Sequence, residues 1–522
     1  MTGQKGYVRT IRLAPPSLAD NTADAQRLEQ HLCRELETDM VRIGPHLIGS
    51  LPSKLRTWNF EAKTVLFRDR FSWTVADILD PSSDSPVLGA AIDIGTTRVV
   101  VSLIDLETGS EICERGFDNP QKSIAPDVLA RIHYAGNQDG LSELQTLIID
   151  GINSHIDEIC RENAFSSRDV YLIAGAGNTA MTHLFLGHDP SGIIREPYIP
   201  CVNIPDTMYA KDLNIKVNKN AMVFLFPNIG SYFGGDLIAG ILFSNLDAKQ
   251  DPCLMVDVGT NAEIVIGNRD WLIACAGAAG PALEGGVSKI GMTAKPGVID
   301  RVWVDRDSGR LCIHTIDDEK PVGICGSGMI DLAAALFLSG RIDIRGKFSE
   351  SACKGSLVED QGIMSFVLVD EKDSGTGAPI CLSQVDLNSL TSSKAAMYTI
   401  LEVIVKNTAG LEFEDLKKFY VAGTFGSFID PVSAISIGML PDIPVENFEV
   451  LGNSSLGGAK IFLNDPCAFE RVMKIRSSIT YIELNVNQEF MNMFSGAKFY
   501  PHTDNSRFPS VKIMDKVNTV LS

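Results

Sequence analysis

The stretch AIDIGTT, residues 91–97, ends a run of apolar residues on Asp-x-Gly-Thr, and MVDVGTN, residues 255–261, does the same 164 positions later. The surroundings match as well. LGAAIDIGTT, RVVVSLIDLETG and SEICERGF read as strand, turn, strand, turn, strand, and CLMVDVGT, NAEIVIGNRD and WLIACAG repeat that plan. Short β-branched runs punctuated by Gly, Thr and Asn are strand and hairpin signals. A repeat of this period means two similar subdomains and excludes a solenoid. Between the strands, DVLARIHYA, LSELQTLIIDGINSHIDEIC, DLIAGILFSNL, GMIDLAAALFLSG and SKAAMYTILEVIVKNTAG carry apolar residues at helical spacing. The fold class is therefore α/β, duplicated.

Residues 1–85 stand apart. In IRLAPPSLADNTADAQRLEQHL, Pro15 and Pro16 break any preceding element, and Ser17 or Asp20 is expected to cap an amphipathic helix running through Leu28, Leu32 and Leu36. A small α+β module follows, with KTVLFRDRFSWTVADIL as its strand part, and the Pro, Ser and Asp cluster DPSSDSPV (80–87) is a linker. The expected domains are 1–85, a linker helix with a small α+β middle domain; 86–250, the first repeated subdomain; and 251–522, the second.

A chain of 522 residues with 45% hydrophobic content buries more than one core. Acidic residues outnumber basic ones by 65 to 46, for a net charge of −19, which repels a nucleic acid backbone over most of the surface. The N-terminus has no signal-type apolar segment, and no apolar run approaches a membrane span, so a cytoplasmic location is expected. The eleven cysteines are scattered with no C-x-x-C pair, which predicts reduced thiols and shows no local zinc or iron-sulfur motif. Cys325, in GICGSGMIDL, reads as a small packing residue where a glycine-rich loop opens a helix.

The paired turns have a chemistry. Gly95 and Gly259 let the backbone turn sharply, so that successive N–H groups aim at phosphate oxygens while Thr96, Thr97 and Thr260 add hydroxyl donors beside Asn261. Asp93 and Asp257 carry the charge of phosphate itself and suit Mg²⁺ or its water shell, because Mg²⁺ keeps several waters and takes one or two carboxylates. Two such turns read as halves of a nucleotide clamp. A third segment, KKFYVAGTFGSFIDP (417–431), places Gly423, Thr424, Phe425 and Gly426 after a strand, where the glycines would admit a base or ribose close to the backbone, a tight strand-to-helix turn being the other reading. Asp236, in FGGD, is a candidate catalytic carboxylate for orienting the attacking water, with a helix N-cap as its other reading; Asn178, in GAGNT, is a turn residue first and a site residue second. No Walker or Rossmann glycine pattern is present.

Phosphate turn, second phosphate turn and glycine-rich loop, in this order, resemble the superfamily of acetate and sugar kinases, Hsp70 and actin. More narrowly, PPSLADNTADAQRL, AIDIGTTRVVVSLIDLETG, GAGNTAMTHLFLG, GSYFGGDLIAGIL, VDVGTNAEIVIG, AGAAGPALEGG, GICGSGMIDL, VAGTFGSFIDP, GNSSLGGAKIFL and YIELNVNQEF together resemble the ATP-dependent reductive activators of corrinoid proteins. The resemblance implies a duplicated actin-like ATPase with two subdomains around a nucleotide cleft. It also implies ATP and Mg²⁺ as cofactors, a homodimer, and as partner a corrinoid protein of a methyltransferase system whose Co(II) is returned to Co(I). Members usually begin with a [2Fe-2S] ferredoxin domain, whereas here only Cys33 precedes Cys113: either the chain is shortened, or it is a variant whose electron comes from an external low-potential donor such as a ferredoxin. A second departure is Gly277, Ala278 and Ala279 before Gly280-Pro281, where a Ser or Thr is expected at the corrinoid interface; Glu284 and its flanking glycines belong to the same implied partner surface. A non-redox ATPase that remodels a cobalamin protein and a small-molecule kinase are the alternative functions.

Overall fold

In the computed structural model, residues 6–259, 262–277, 290–305, 307–423, 428–483 and 488–512 are described. The chain forms two compact units, Met1–Asn245 with Ser454–Ser478, and Leu246–Asn453 with Ile479–Ser522.

The first unit begins with a small mixed sheet in the order β1-β3-β4-β2, built from β1 (Val8–Arg12), β2 (Val41–Ile43), β3 (Glu61–Arg68) and β4 (Trp73–Leu79). Its helix, Asp24–Glu35, buries Leu28 and Leu32 as the spacing predicts. The expected cap is wrong: the N-cap is Ala23 without a side-chain bond, because Ser17 and Asp20 bridge each other and Asp20 pairs with Arg27 at 2.5 Å. The module is tied into its unit by Lys63 on Glu107 at 3.0 Å and by Asn220 Nδ2 on Asp77 at 3.0 Å. Tyr7 and Phe67 also pack against Phe462.

The main sheet of this unit runs β7-β6-β5-β8-β10-β9, from β5 (Leu88–Ile94), β6 (Arg98–Asp105), β7 (Glu111–Asp118), β8 (Val170–Ala176), β9 (Met208–Tyr209) and β10 (Met222–Leu225). Strands β5, β8 and β10 are parallel and covered, so they read as unbroken apolar runs. Ile92, Ile94, Val101, Ile148, Ile152 and Ile173 form one fully buried core, each worth about 1.5–3 kcal/mol by burial. The long helix Gln138–Glu162 begins where Asn137 accepts the Gly140 N–H at 2.8 Å.

The second unit repeats the order. Its main sheet is β21-β20-β11-β12-β13-β22, where β11 (Cys253–Val258), β12 (Ala262–Gly267) and β13 (Leu272–Gly277) form the meander. Alongside lie β20 (Lys418–Ala422), β21 (Phe448–Gly452) and β22 (Ile479–Glu483). Two three-stranded sheets are inserted: β14 (Val298–Val304), β15 (Leu311–Thr315) and β16 (Gly323–Ile324), then β17 (Leu357–Asp360), β18 (Ile363–Val369) and β19 (Ile380–Ser383). In each unit the meander's first strand pairs in parallel with a later strand of the same sheet, β5 with β8 and β11 with β20.

The segment Ser454–Ser478 departs from the order of the chain. Its first helix, Ser454–Asn464, packs on the helix Gly235–Ser244, and Gly457 and Gly458 are small because a Cβ at either would overlap Phe243 or the Ala239 backbone. None of the eleven cysteines is bonded to another, and Cys325 is buried, 3.1 Å from the Ser327 hydroxyl. Among the described residues no helix is long and apolar enough to cross a membrane.

Candidate functional site

The β5–β6 hairpin is closed by Gly95, Thr96 and Thr97, with Ile94 paired to Val99. A Cβ at Gly95 would overlap the Arg98 carbonyl, so this tight return needs glycine. Asn119, buried at the end of β7, clips the turn from one side: its Nδ2 donates to Gly95 O and its backbone N–H to Thr97 O, both at 2.9 Å. Asn178 holds the other side. Its Oδ1 caps the helix Thr179–Leu186 by accepting the Met181 N–H at 2.9 Å, and its Nδ2 donates to Thr96 Oγ1 at 3.0 Å. Thr97 is left exposed and Thr96 half-buried on a turn held from both sides.

Asp93 sits one residue before the end of β5, paired with Val100 on one side and Ala176 on the other. Its Oδ1 accepts the Ser455 hydroxyl at 2.9 Å. Asp236 lies in the first turn of the helix Gly235–Ser244, whose N-cap is Gly234, and its Oδ1 accepts the Leu237 N–H at 2.9 Å. The capping reading of Asp236 is thereby corrected: the N-cap lies two residues earlier, at Gly234, and Asn228 takes the Gly235 N–H at 3.0 Å. Gly234 packs directly on the Asn178 backbone. The first unit therefore gathers Asp93, Gly95, Thr96, Asn178 and Asp236 at the carboxyl ends of β5 and β8, the edge of an α/β sheet where ligands bind.

The second unit copies the frame. Asp257, one residue before the end of β11, pairs with Glu263 and with Ala422 as Asp93 pairs with Val100 and Ala176, across a hairpin one residue shorter. Gly423 then follows β20 as Gly177 follows β8. A Cβ on Gly177 would stand 2.9 Å from Ile94 O, and one on Gly423 3.0 Å from Val258 O. Gly423 has φ +87°, and that Cβ would also stand 2.6 Å from Asp257 Oδ1, so the loop is pressed against the aspartate. The register makes Ala422 and Gly423 the counterparts of Ala176 and Gly177, an equivalence that the motif spacing conceals. Gly259 follows Val258 at the end of β11, half-buried. Thr260, Asn261, Thr424, Phe425 and Gly426 lie outside the described residues, as do Ala278, Ala279, Gly280, Pro281 and Glu284.

Models of three consecutive RACo regions match the chain: the linker region over 7–83, the middle region over 88–249 and the C-terminal ASKHA domain over 251–512. The corrinoid activation enzyme RamQ of Eubacterium limosum is 30% identical over 419 residues, covering 79% of this chain and 70% of that protein. The chain belongs to the RACo family. It is also 27% identical over 301 residues to the [Co(II) methylated amine-specific corrinoid protein] reductase of Methanosarcina barkeri, covering 53% of this chain and 52% of that one. A solved reductive activator for corrinoid, iron-sulfur protein superposes with a TM-score of 0.84 at 36% identity, covering 97% of this chain and 81% of that chain. RACo membership makes the duplicated units an actin-like ATPase fold and the protein an enzyme coupled to corrinoid reactivation.

An ASKHA domain implies ATP and a metal, and the first unit's turn suits both, with a glycine return and an exposed Thr97 for phosphate beside the Asp93 carboxylate for a cation. Ser455 and Asn119 escaped the sequence reading. Ser455 lay within GNSSLGGAKIFL, which carried only the family resemblance, and Asn119 had no signal beyond its turn-forming type.

Proposed function

We propose that this protein is an ATP-dependent reductive activator of a corrinoid protein, driving the transfer of one electron from an external low-potential donor to Co(II) to give Co(I). The assignment is carried by the duplicated register of Asp93 and Asp257 together with the names of the relatives, RamQ and the methylated-amine corrinoid protein reductase among them.

In this reading Gly95, Thr96 and Thr97 from one turn, and Gly259, Thr260 and Asn261 from the other, donate to the phosphates. Asp93, oriented by Ser455, and Asp257, pressed by Gly423, hold Mg²⁺ directly or through water. Gly423, Thr424, Phe425 and Gly426 line the adenosine, and Asp236 orients the attacking water. Mg²⁺, when bound, offsets the charge that develops on the transferring phosphoryl group. What hydrolysis adds is a change in how tightly the two cobalt states are held: a differential affinity of about 5.5 kcal/mol swings a population from 1:99 to 99:1 and corresponds to roughly 0.2 V for one electron. The donor is an external low-potential protein such as a ferredoxin, the partner belongs to a methyltransferase system, and the enzyme acts as a homodimer in the cytoplasm.

The test is a visible spectrum of a purified corrinoid protein mixed with this chain, ATP, Mg²⁺ and a low-potential reductant. Co(I) should accumulate only when chain and ATP are both present. Equal rates without either one reject the reading.

A further inference from the structure

Arg131, on the helix Val128–Tyr134, is completely buried. Its Nε donates to Ala125 O at 3.0 Å and its Nη1 lies 3.2 Å from both Gln121 Oε1 and Met181 Sδ; Nη2 is buried with no hydrogen-bond partner. No carboxylate pairs with it among the described residues. The nearest influence is Asp127, exposed at the N-cap of the same helix, and burial pulls the Arg131 pKa down to about 10. An unpaired buried cation costs several kcal/mol, and an apolar side chain of similar volume would avoid that cost.

Two contact paths lead from this guanidinium, and both end on the same turn. Along one, Arg131 meets Gln121, whose backbone N–H donates to Asn119 Oδ1 at 3.0 Å, and Asn119 Nδ2 donates to Gly95 O. Along the other it meets Met181, whose N–H donates to Asn178 Oδ1, and Asn178 Nδ2 donates to Thr96 Oγ1. Gln121 is itself fully buried and fixed by its Nε2 on Leu144 O at 2.9 Å. We propose that Arg131 is the positioning residue of the first phosphate turn, cross-linking from beneath the Asn119 and Asn178 arms that hold Gly95 and Thr96. The proposal rests on the reading that this turn binds phosphate. The planar fork suits the task, because one guanidinium reaches three acceptors in fixed directions, which an ammonium on a flexible stem does not.

The full-length chain is titrated with Mg·ATP and, in competition, with adenosine, which lacks the phosphates. Arg131→Met and Gln121→Leu should each lower the preference for ATP over adenosine by about tenfold, the size of one lost charge-assisted hydrogen bond, while adenosine affinity stays within about twofold. A role confined to packing lowers the unfolding midpoint and leaves that preference unchanged, so an unchanged preference in either variant overturns the proposal. Should Arg131→Met fail to fold, Gln121→Leu keeps the guanidinium, opens one arm and reads the same ratio. A wild-type chain with no preference for ATP over adenosine would instead reject the phosphate-turn reading underneath.

Discussion

Asp93 and Ser455 meet at 2.9 Å although 362 residues separate them. Sequence made Asp93 visible, because an acidic residue before Gly-Thr at a strand end has a recognisable chemistry. It left Ser455 invisible, because a serine in the first turn of a helix has many ordinary reasons to be there. The hydrogen bond fixes one carboxylate oxygen. Ser455→Ala should therefore lower stability by about 1 kcal/mol and ATP turnover by roughly tenfold, with adenosine affinity unchanged, as read by denaturant unfolding and phosphate release. Gly423→Ala should act on the other carboxylate. It adds a Cβ at φ +87° and 2.6 Å from Asp257 Oδ1, so the strain of about 1–3 kcal/mol falls where the aspartate must sit. Turnover should fall much further than the unfolding midpoint, which comparison of the two measurements checks.

Among elements, strands and helices were legible wherever periodicity was strong, as in the two meanders and in Gln138–Glu162. Capping was less so: a Ser17–Asp20 bridge is a local competition between turn and helix that residue type alone does not decide. The helix Ser454–Asn464 carries Phe462, fully buried, stacked 3.9 Å from Phe224 and packed against Tyr7 and Phe67 of the N-terminal module. Phe462→Ala should cost about 3–5 kcal/mol and speed hydrogen exchange in β1 and β3 before the rest of the unit. At the far end of the chain, the segment after helix Gln488–Ala497 docks on helix Gln384–Glu402. There Tyr500 bonds Thr391 at 2.9 Å, Lys394 donates to Pro501 O at 2.9 Å, and Arg507 pairs with Glu402. His502 Nδ1 accepts the Asp504 N–H at 2.9 Å and must stay unprotonated to do so; burial, with Arg507 and Lys394 nearby, pulls its pKa down to about 4. With a folded pKa below the ordinary value, the unfolded chain takes up the proton first. Stability should thus fall as pH drops from about 6.5 to 4, by at most about 3 kcal/mol. His502→Gln, which keeps an acceptor, should flatten that slope in urea midpoints measured across the window.

At the scale of the whole molecule, the duplication was legible because it is written twice in local sequence, whereas the return of Ser454–Ser478 to the first unit follows from packing and leaves no periodic trace. Duplication also makes a demand on the chemistry. In the proposed function Asp93 and Asp257 serve one Mg²⁺, and one or two carboxylates are what a hydrated Mg²⁺ takes. Residues that serve one ion act as a unit, so removing either removes most of the effect. Asp93→Asn and Asp257→Asn, which keep the side-chain shape and discard the charge, should each cut ATP turnover by about 100-fold or more, and the double variant should be little worse than either single one. If the two aspartates did separate jobs, their losses would multiply to about 10⁴-fold. Phosphate release by the four proteins distinguishes these outcomes. Co(I) formation on a corrinoid protein should fall in the same proportion, since in the proposed function reduction proceeds only as fast as ATP is used.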